Sequence, residues 1–388
     1  MKALFFYVYS IFSFLSYFVA LPFVLALSFK TKYRRSLPAR FLLWRNPPLK
    51  ADGIWFHVCS YGEARAIAPL IASVPQTQRR VTTTTQTGMS VAQTYTSQSR
   101  YLPFEPLLFF WMRPQKMLVV FEAELWYLLF TLAKRRGMRT VLINARISER
   151  SFPRYRRFAW LYRRIFAHID AVYAQSEEDK RRLESLGAHN VCVAGNMKLA
   201  ALPKPTKTYD KPSNVTVCAA STHEGEEALI LEAFAALKRH RPDAMLLMVP
   251  RHPERFERVA AMCRDAAQKE GWRTVRFSAS GIVSDADIVC VDAMGELVNL
   301  YAISDVVVMG GSFVPVGGHN LAEAAQFGCR IMTGPHLFNQ HEMLQALEGI
   351  TIVERSELSE TLVTYYALPH ASIKRKAKTD MLKKELAI

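Results

Sequence analysis

The feature that most limits what this chain can fold into is a regular alternation. Short apolar runs, each the length of one strand, are separated by amphipathic stretches with helical spacing. In the first half the runs are residues 54–59, 81–85, 117–121, 140–144, 171–174 and 191–194. In the second they are 215–219, 245–249, 288–291, 306–309 and 330–333. Strands separated by helices predict parallel sheets built from βαβ units. Between the halves lies Pro203-Lys-Pro205-Thr-Lys-Thr-Tyr-Asp-Lys-Pro212, whose proline-rich, polar composition reads as a linker. The expected chain is therefore α/β: a Rossmann-like domain over 30–202, a linker at 203–213, and a second Rossmann-like domain over 214–388 with a basic tail. Open sheets of this kind take ligands beyond the carboxyl ends of their strands. Residues just after strands, lining a cleft that the two domains face, are thus where chemistry is expected.

Residues 3–29 are almost wholly apolar and uncharged. A bilayer core needs ~20 such residues in a helix, whereas the apolar part of a signal peptide is ~7–15 residues long. The run ends directly in Lys30, Lys32, Arg34, Arg35, Arg40 and Arg45. Residues 1–29 are therefore expected to be an uncleaved, single-pass transmembrane helix. With only Lys2 ahead of it, the positive-inside rule puts the body in the cytoplasm. The formal charge of +16 calls for an anionic partner. Two more basic runs, 154–164 and the tail Lys374, Arg375, Lys376, Lys378, Lys383 and Lys384, are either solvated faces or contacts for an anionic membrane surface. On a single helix over 154–164, Tyr155, Phe158, Tyr162 and Ile165 would share one face. No nucleic-acid motif is evident, so no nucleic-acid partner is expected. The six cysteines (59, 192, 218, 263, 290 and 329) have no zinc or redox spacing and read as reduced core residues.

Several segments that follow strands carry chemistry. Val306-Val-Val-Met309 runs into Gly310-Gly-Ser-Phe-Val-Pro-Val-Gly317-Gly318-His319-Asn320-Leu-Ala-Glu323. This reads as a strand, a glycine-rich loop and a helix starting near Asn320, a place for a phosphorylated ligand. Alternatively, Gly317-Gly318 makes only a tight turn, and Asn320 and Glu323 are only a capping pair. Ser60-Tyr-Gly62-Glu63 follows the first strand. Glu63 is either a general base for a sugar hydroxyl or an acid complementing a helix dipole. Thr82 to Gly88 is a hydroxyl-rich loop or a strand closed by a turn. Glu122 and Glu124, Arg146, and Gly195-Asn-Met-Lys198 add polar groups after later strands. Arg251 and His252 suit a phosphate, or else form a surface ion pair with Glu254.

Taken in order, these segments resemble the family of 3-deoxy-D-manno-oct-2-ulosonic acid (Kdo) transferases of lipopolysaccharide inner-core biosynthesis. The matching pieces include His57-Val-Cys-Ser-Tyr-Gly-Glu63, Glu122-Ala-Glu-Leu-Trp126, Asn144-Ala-Arg-Ile-Ser-Glu-Arg-Ser151, Ser221-Thr-His-Glu-Gly-Glu-Glu227, Val249-Pro-Arg-His-Pro-Glu-Arg255, Gly295-Glu-Leu297 and 310–323. The resemblance implies a GT-B glycosyltransferase with an N-terminal anchor, CMP-Kdo as donor and a lipid A precursor as acceptor. It implies inverting transfer at the cytoplasmic face of the bacterial inner membrane. It assigns the base to Glu63; from their places after strands of the first domain, Ser60, Gly62, Thr87, Gly88, Glu122, Arg146 and Lys198 are expected to line the acceptor side of the cleft. The nucleotide side falls on Ser221, His223, Arg251, His252, Gly295, Glu296, Leu297, Gly317, Gly318, His319, Asn320 and Glu323. Tyr127 stands where the family has proline, and Asn320-Leu-Ala-Glu323 where it has Asn-Pro-Leu-Glu. With no Asp-x-Asp or histidine cluster, no metal or other cofactor is expected, nor any obligate protein partner. A nucleotide-sugar epimerase and an inert lipid-binding scaffold are the rival readings.

Overall fold

The computed structural model describes residues 2–338, 340–374 and 377–387; Arg375 and Lys376 of the basic tail and Asn339 lie outside the described residues. The chain forms two units, Met1–Ala201 with Lys376–Ile388, and Leu202–Arg375.

In the first unit seven parallel strands form one sheet in the order β3-β2-β1-β4-β5-β6-β7. They are β1 Ile54–His57, β2 Arg79–Thr83, β3 Ser99–Tyr101, β4 Met117–Phe121, β5 Arg139–Ala145, β6 Ala171–Ala174 and β7 Val191–Val193. Successive side chains go to opposite faces. Met117, Val119 and Phe121 enter one core, while Leu118 and Val120 enter the other. Both faces are covered, which is why a central strand such as β4 reads as an unbroken apolar run rather than as alternation.

The second unit repeats the plan with β8 Thr216–Thr222, β9 Met245–Pro250, β10 Thr274–Arg276, β11 Ile288–Cys290, β12 Val306–Met309, β13 Arg330–Thr333 and β15 Ile350–Ile352, in the order β10-β11-β9-β8-β12-β13-β15. A small antiparallel pair, β14 Leu347–Glu348 with β16 Ser372–Ile373, stands apart. In each sheet the strand order reverses beside the first strand, at β1/β4 and at β8/β12. Open α/β sheets bind ligands at such switch points.

The division differs from the expected one at the C-terminus. The helix Thr379–Leu386 packs on the first unit, not the second: Leu382 and Leu386 join the core against β1 and β4. Its Glu385 accepts from Arg139 Nε (2.7 Å) and Tyr173 Oη (2.9 Å). The stretch 154–164 is two helices, Phe152–Arg157 and Ala159–Phe166, broken at Phe158. Phe158 is consequently exposed, while Tyr155 and Tyr162 still pair at 4.8 Å. Cys192 is exposed and Cys59 half-buried; the other four cysteines are buried.

Among the described residues one helix, α1 (Lys2–Ser28), contains a stretch long and apolar enough to cross a membrane by length and composition. One stripe of it, Phe6, Ser10, Ser13, Tyr17 and Val24, is buried. Tyr9 donates to the Glu105 carboxylate (2.7 Å) and Tyr17 to the Phe41 carbonyl (2.6 Å).

Candidate active site

Glu63 sits at the switch point of the first unit, in the first turn of the helix Tyr61–Ala66 that follows β1. Ser60 is the N-cap: its Oγ accepts from Glu63 N–H (3.3 Å) and donates to Glu63 Oε1 (2.7 Å). Cys59 N–H donates to Glu63 Oε2 (2.8 Å). Glu63 is thus a first-turn acid whose carboxylate is held by the N-cap residue and the backbone ahead of it. Burial pushes its carboxyl above the usual range, against the pull of the Cys59 and Ser60 donors; nearby Glu122 adds to the rise and Lys198 opposes it. A carboxylate so placed is a stronger base than a solvated one. A Cβ on the adjacent Gly62 would meet nothing within 4 Å.

The threonine run supports this turn rather than presenting hydroxyls. Thr83, Thr84 and Thr85 all donate to the Cys59 carbonyl (3.0, 3.4 and 2.8 Å). Thr85 also caps the helix Gln86–Tyr95 through Gly88 N–H, and Gly88 is packed tightly there, whereas Thr87 is exposed. Across β4, Glu122 pairs with Lys198 (2.6 Å) and accepts from Asn144 Nδ2 (3.3 Å). Arg146, half-buried, follows β5. Glu122 and Asn144 have φ of 59° and 54°, and Ser221 in the second unit has 54°. Left-handed backbone at strand ends is held only where its surroundings insist, and it gathers at functional sites. Asn144 was not among the assigned residues; its carboxamide fixes Met197 N–H (2.8 Å) and so steers Lys198.

One ring nitrogen of His57, Cys59 Sγ and a Glu124 oxygen lie within 4.8 Å of one another, and His57 Nε2 is buried without a hydrogen-bond partner. The donor set fits a cation poorly. Burial, followed by the Glu124 charge, pushes the Cys59 thiol up. The Arg40 guanidinium already acts on all three groups.

In the second unit the switch point carries Ser221 and His223 after β8 and the glycine-rich loop after β12. Gly310 is required where the two meet: a Cβ there would stand 2.4 Å from the Ser221 carbonyl oxygen. The rings of His223 and His319 stack at 5.1 Å with their Nε2 atoms 2.9 Å apart, and His252 meets His223 edge-on at 5.3 Å. Burial pushes His319 down to about 4, helped by the Arg251 charge and the other two histidines, and burial likewise lowers His223. Both rings are neutral near pH 7, so one Nε2–H serves the pair and only one can donate to the other. Arg251 is exposed at the end of β9, and it is His252, not Arg251, that faces Glu254 (3.8 Å).

Much of the expected phosphate cradle is occupied by the protein itself. Gly317 N–H and Gly318 N–H both donate to the Gly311 carbonyl (3.0 and 2.7 Å), which makes the tight turn. Gly311, Ser312 and Phe313 N–H donate to the carboxylate of Glu226 (2.8, 3.2 and 2.9 Å), which also takes His223 N–H (2.9 Å). Glu226 is fully buried and fills a backbone nest as an anion would. Asn320 caps the helix Leu321–Ala325 through Ala322 N–H (3.1 Å) and donates to Glu323 (3.0 Å). Glu296, just after Gly295 and ahead of Leu297, is buried and held by Lys207, Tyr209 (2.8 Å) and Asn299 (2.8 Å). Burial alone would raise its carboxyl; those three donors outweigh it and hold the group low. Glu296 thus fixes the segment 203–212 on this unit.

Two Rossmann-like sheets, each with its polar groups gathered at the switch point, define the GT-B fold. Among solved structures, the chain is similar to UDP-GlcNAc 2-epimerase from Neisseria meningitidis bound to UDP-GlcNAc: 14% identity, covering 87% of this chain and 100% of that one, with a TM-score of 0.51, a likeness of fold alone. The family model of 3-deoxy-D-manno-octulosonic-acid transferase (kdotransferase) matches residues 35–201. The 3-deoxy-D-manno-octulosonic acid transferase of Haemophilus influenzae is 33% identical over 353 residues, 84% of this chain and 81% of that protein. That of Bordetella pertussis is 33% identical over 330 residues, 78% and 76%. The chain belongs to the Kdo transferase family, and is a glycosyltransferase.

Proposed function

We propose that this enzyme transfers Kdo from CMP-Kdo to a lipid A precursor with inversion at the anomeric carbon, at the cytoplasmic face of the bacterial inner membrane. An acceptor hydroxyl oxygen forms the new bond to the ketosidic carbon. The bond from that carbon to the CMP phosphate oxygen breaks, and its electron pair leaves with CMP. The hydroxyl proton passes to Glu63. Lys198, paired with Glu122, holds a positive charge beside the acceptor. Arg251 and the His223–His319 pair receive the phosphate, an electrostatic stabilisation of the leaving group. Glu323 accepts the ribose hydroxyls, and no metal takes part.

The observation that carries this reading is the Glu63 carboxylate at the end of β1, fixed by Cys59 N–H and Ser60 Oγ and raised in basicity by burial. The test is mass spectrometry of a lipid A precursor incubated with the purified chain and CMP-Kdo, with a UDP-sugar in a parallel arm. The expected product is the precursor plus Kdo in the first arm only. An unaltered precursor in the first arm, or turnover of the UDP-sugar in the second, would remove the assignment.

A further inference from the structure

Both ends of α1 are held by the same unit. Near its start, the Phe5 ring meets Tyr127 (5.1 Å), Trp160 (5.8 Å) and the Arg164 guanidinium (4.5 Å). Arg135 covers the buried Phe6 at 3.5 Å. Further along, Tyr17 stacks near Phe41 (6.3 Å) and Phe104 (6.2 Å), and Val24 is still buried. A helix that crossed a bilayer, with the body on one side, would carry Phe5 and Phe6 to the other side of a hydrocarbon layer ~30 Å thick. Those contacts could not then exist. Releasing the helix would uncover the stripe from Phe6 to Val24 and take Tyr9 from Glu105. That carboxyl is buried, and it also accepts from Leu128 N–H (2.7 Å).

The opposite face of α1 is exposed among the described residues. Leu4, Ile11, Phe12, Leu15, Phe18 and Phe23 are each at least 60% exposed, at helical spacing, with no charge between Ala3 and Ser28. Phe110, 71% exposed, adjoins the face through Phe14 (6.4 Å). Monomers seldom leave so continuous an apolar patch in water. Exposed Lys30, Lys32, Arg34 and Arg35 follow at its end. An apolar face flanked by cations suits an anionic lipid surface, with the helix lying at the boundary of head groups and chains.

We propose that α1 lies in the plane of the membrane, its outer face sunk in one leaflet and both its ends on the same side as the globular units. This deepens the proposed membrane location and replaces the single-pass topology expected from the sequence. It also suggests how an amphiphilic acceptor is met. Gln86 Nε2 donates to the Thr31 carbonyl (3.3 Å), so the basic segment after α1 touches the helix that Thr85 caps, next to the turn bearing Glu63. An acceptor anchored in that leaflet would offer its sugar to Glu63 at head-group depth.

The test is a short polar extension ahead of Met1 carrying one cysteine, in the full chain expressed in bacteria. A membrane-impermeant maleimide is applied to intact spheroplasts and, separately, after permeabilisation. Exposed Cys192 in the globular unit is the internal reference. Expected is protection of both thiols in intact spheroplasts, labelling of both after permeabilisation, and recovery of the chain with membranes. Labelling of the added thiol in intact spheroplasts while Cys192 stays protected would overturn the proposal, as would a chain found only in the soluble fraction. Kdo transfer by the tagged chain shows that it is folded. Because labelling reports topology whether or not Kdo is transferred, failure of one reading leaves the other standing.

Discussion

Replacing Glu226 by glutamine should cost more than a change of one atom suggests. Each carboxylate oxygen of Glu226 accepts two backbone N–H groups: Oε2 takes His223 and Gly311, Oε1 takes Ser312 and Phe313. The amide keeps one acceptor oxygen and turns its NH2 towards two donors. Two charge-assisted bonds are lost, at ~1.5–3 kcal/mol each, or about 3–6 kcal/mol in all. That is a large share of the ~5–15 kcal/mol that holds a typical domain folded. The damage should be directional, because Gly311 in turn holds Gly317 and Gly318 N–H, and the loop carries His319. Glu226→Gln is therefore expected to lower the denaturation midpoint of the second unit and to weaken CMP binding, read by urea titration and by calorimetry. Glu226→Ala leaves the same donors around an empty nest, and sulfate should partly restore its midpoint by mass action. An unchanged midpoint and unchanged CMP affinity in Glu226→Gln would show that the Glu226 carboxylate does not hold this loop.

Glu105 is held protonated to about pH 7 by burial, against the pull of Tyr9 and the Leu128 and Leu129 amides, from an ordinary 4.5. The folded state then binds the proton more tightly than the unfolded one, so this group's contribution is full below pH 4.5 and is lost as pH rises to about 7. Glu105→Gln should remove about 3 kcal/mol of that pH dependence, measured as denaturation midpoints across the window. Glu323→Ala should weaken CMP binding more than it lowers thermal stability; a lowered melting temperature with unchanged affinity would leave Glu323 as a capping partner of Asn320 alone. Gly88→Ala would set a Cβ 2.4 Å from Thr83 Oγ1 and should destabilise the first unit, whereas Gly62→Ala, with open space, should fold normally and slow transfer. Thermal melts and rates of the two variants separate these outcomes.

The strands that carry the sites were legible because they are buried on both faces: β4, β6 and β12 are continuous apolar runs and lie where their sequences put them. β3 (Ser-Arg-Tyr) and β10 (Thr-Val-Arg) are edge strands of three residues with no such run, and nothing local marks them. Lysines hid the C-terminal helix: the tail reads as a charge run unless Leu382 and Leu386 are seen to share a face. Glu63 stood out because its neighbours in sequence are also its partners in space. Glu226 did not, since its backbone donors Gly311, Ser312 and Phe313 lie 85 to 87 residues away and offer no residue type to recognise. For the same reason the loop amides read as a ligand cradle, although the protein's own carboxylate takes three of them.

Whether Glu63 is the base of Kdo transfer is decided by comparing Glu63→Gln with the unaltered enzyme. Glutamine keeps the size of the side chain and an oxygen for Cys59 N–H or Ser60 Oγ, but it cannot take the acceptor proton. Proton transfer by a positioned group contributes on the order of 10²–10⁴-fold. Single-turnover transfer from CMP-Kdo to a lipid A precursor should fall by about that factor, with CMP affinity and the melting curve little changed. A folded Glu63→Gln enzyme that binds CMP and transfers Kdo at the original rate would contradict the account.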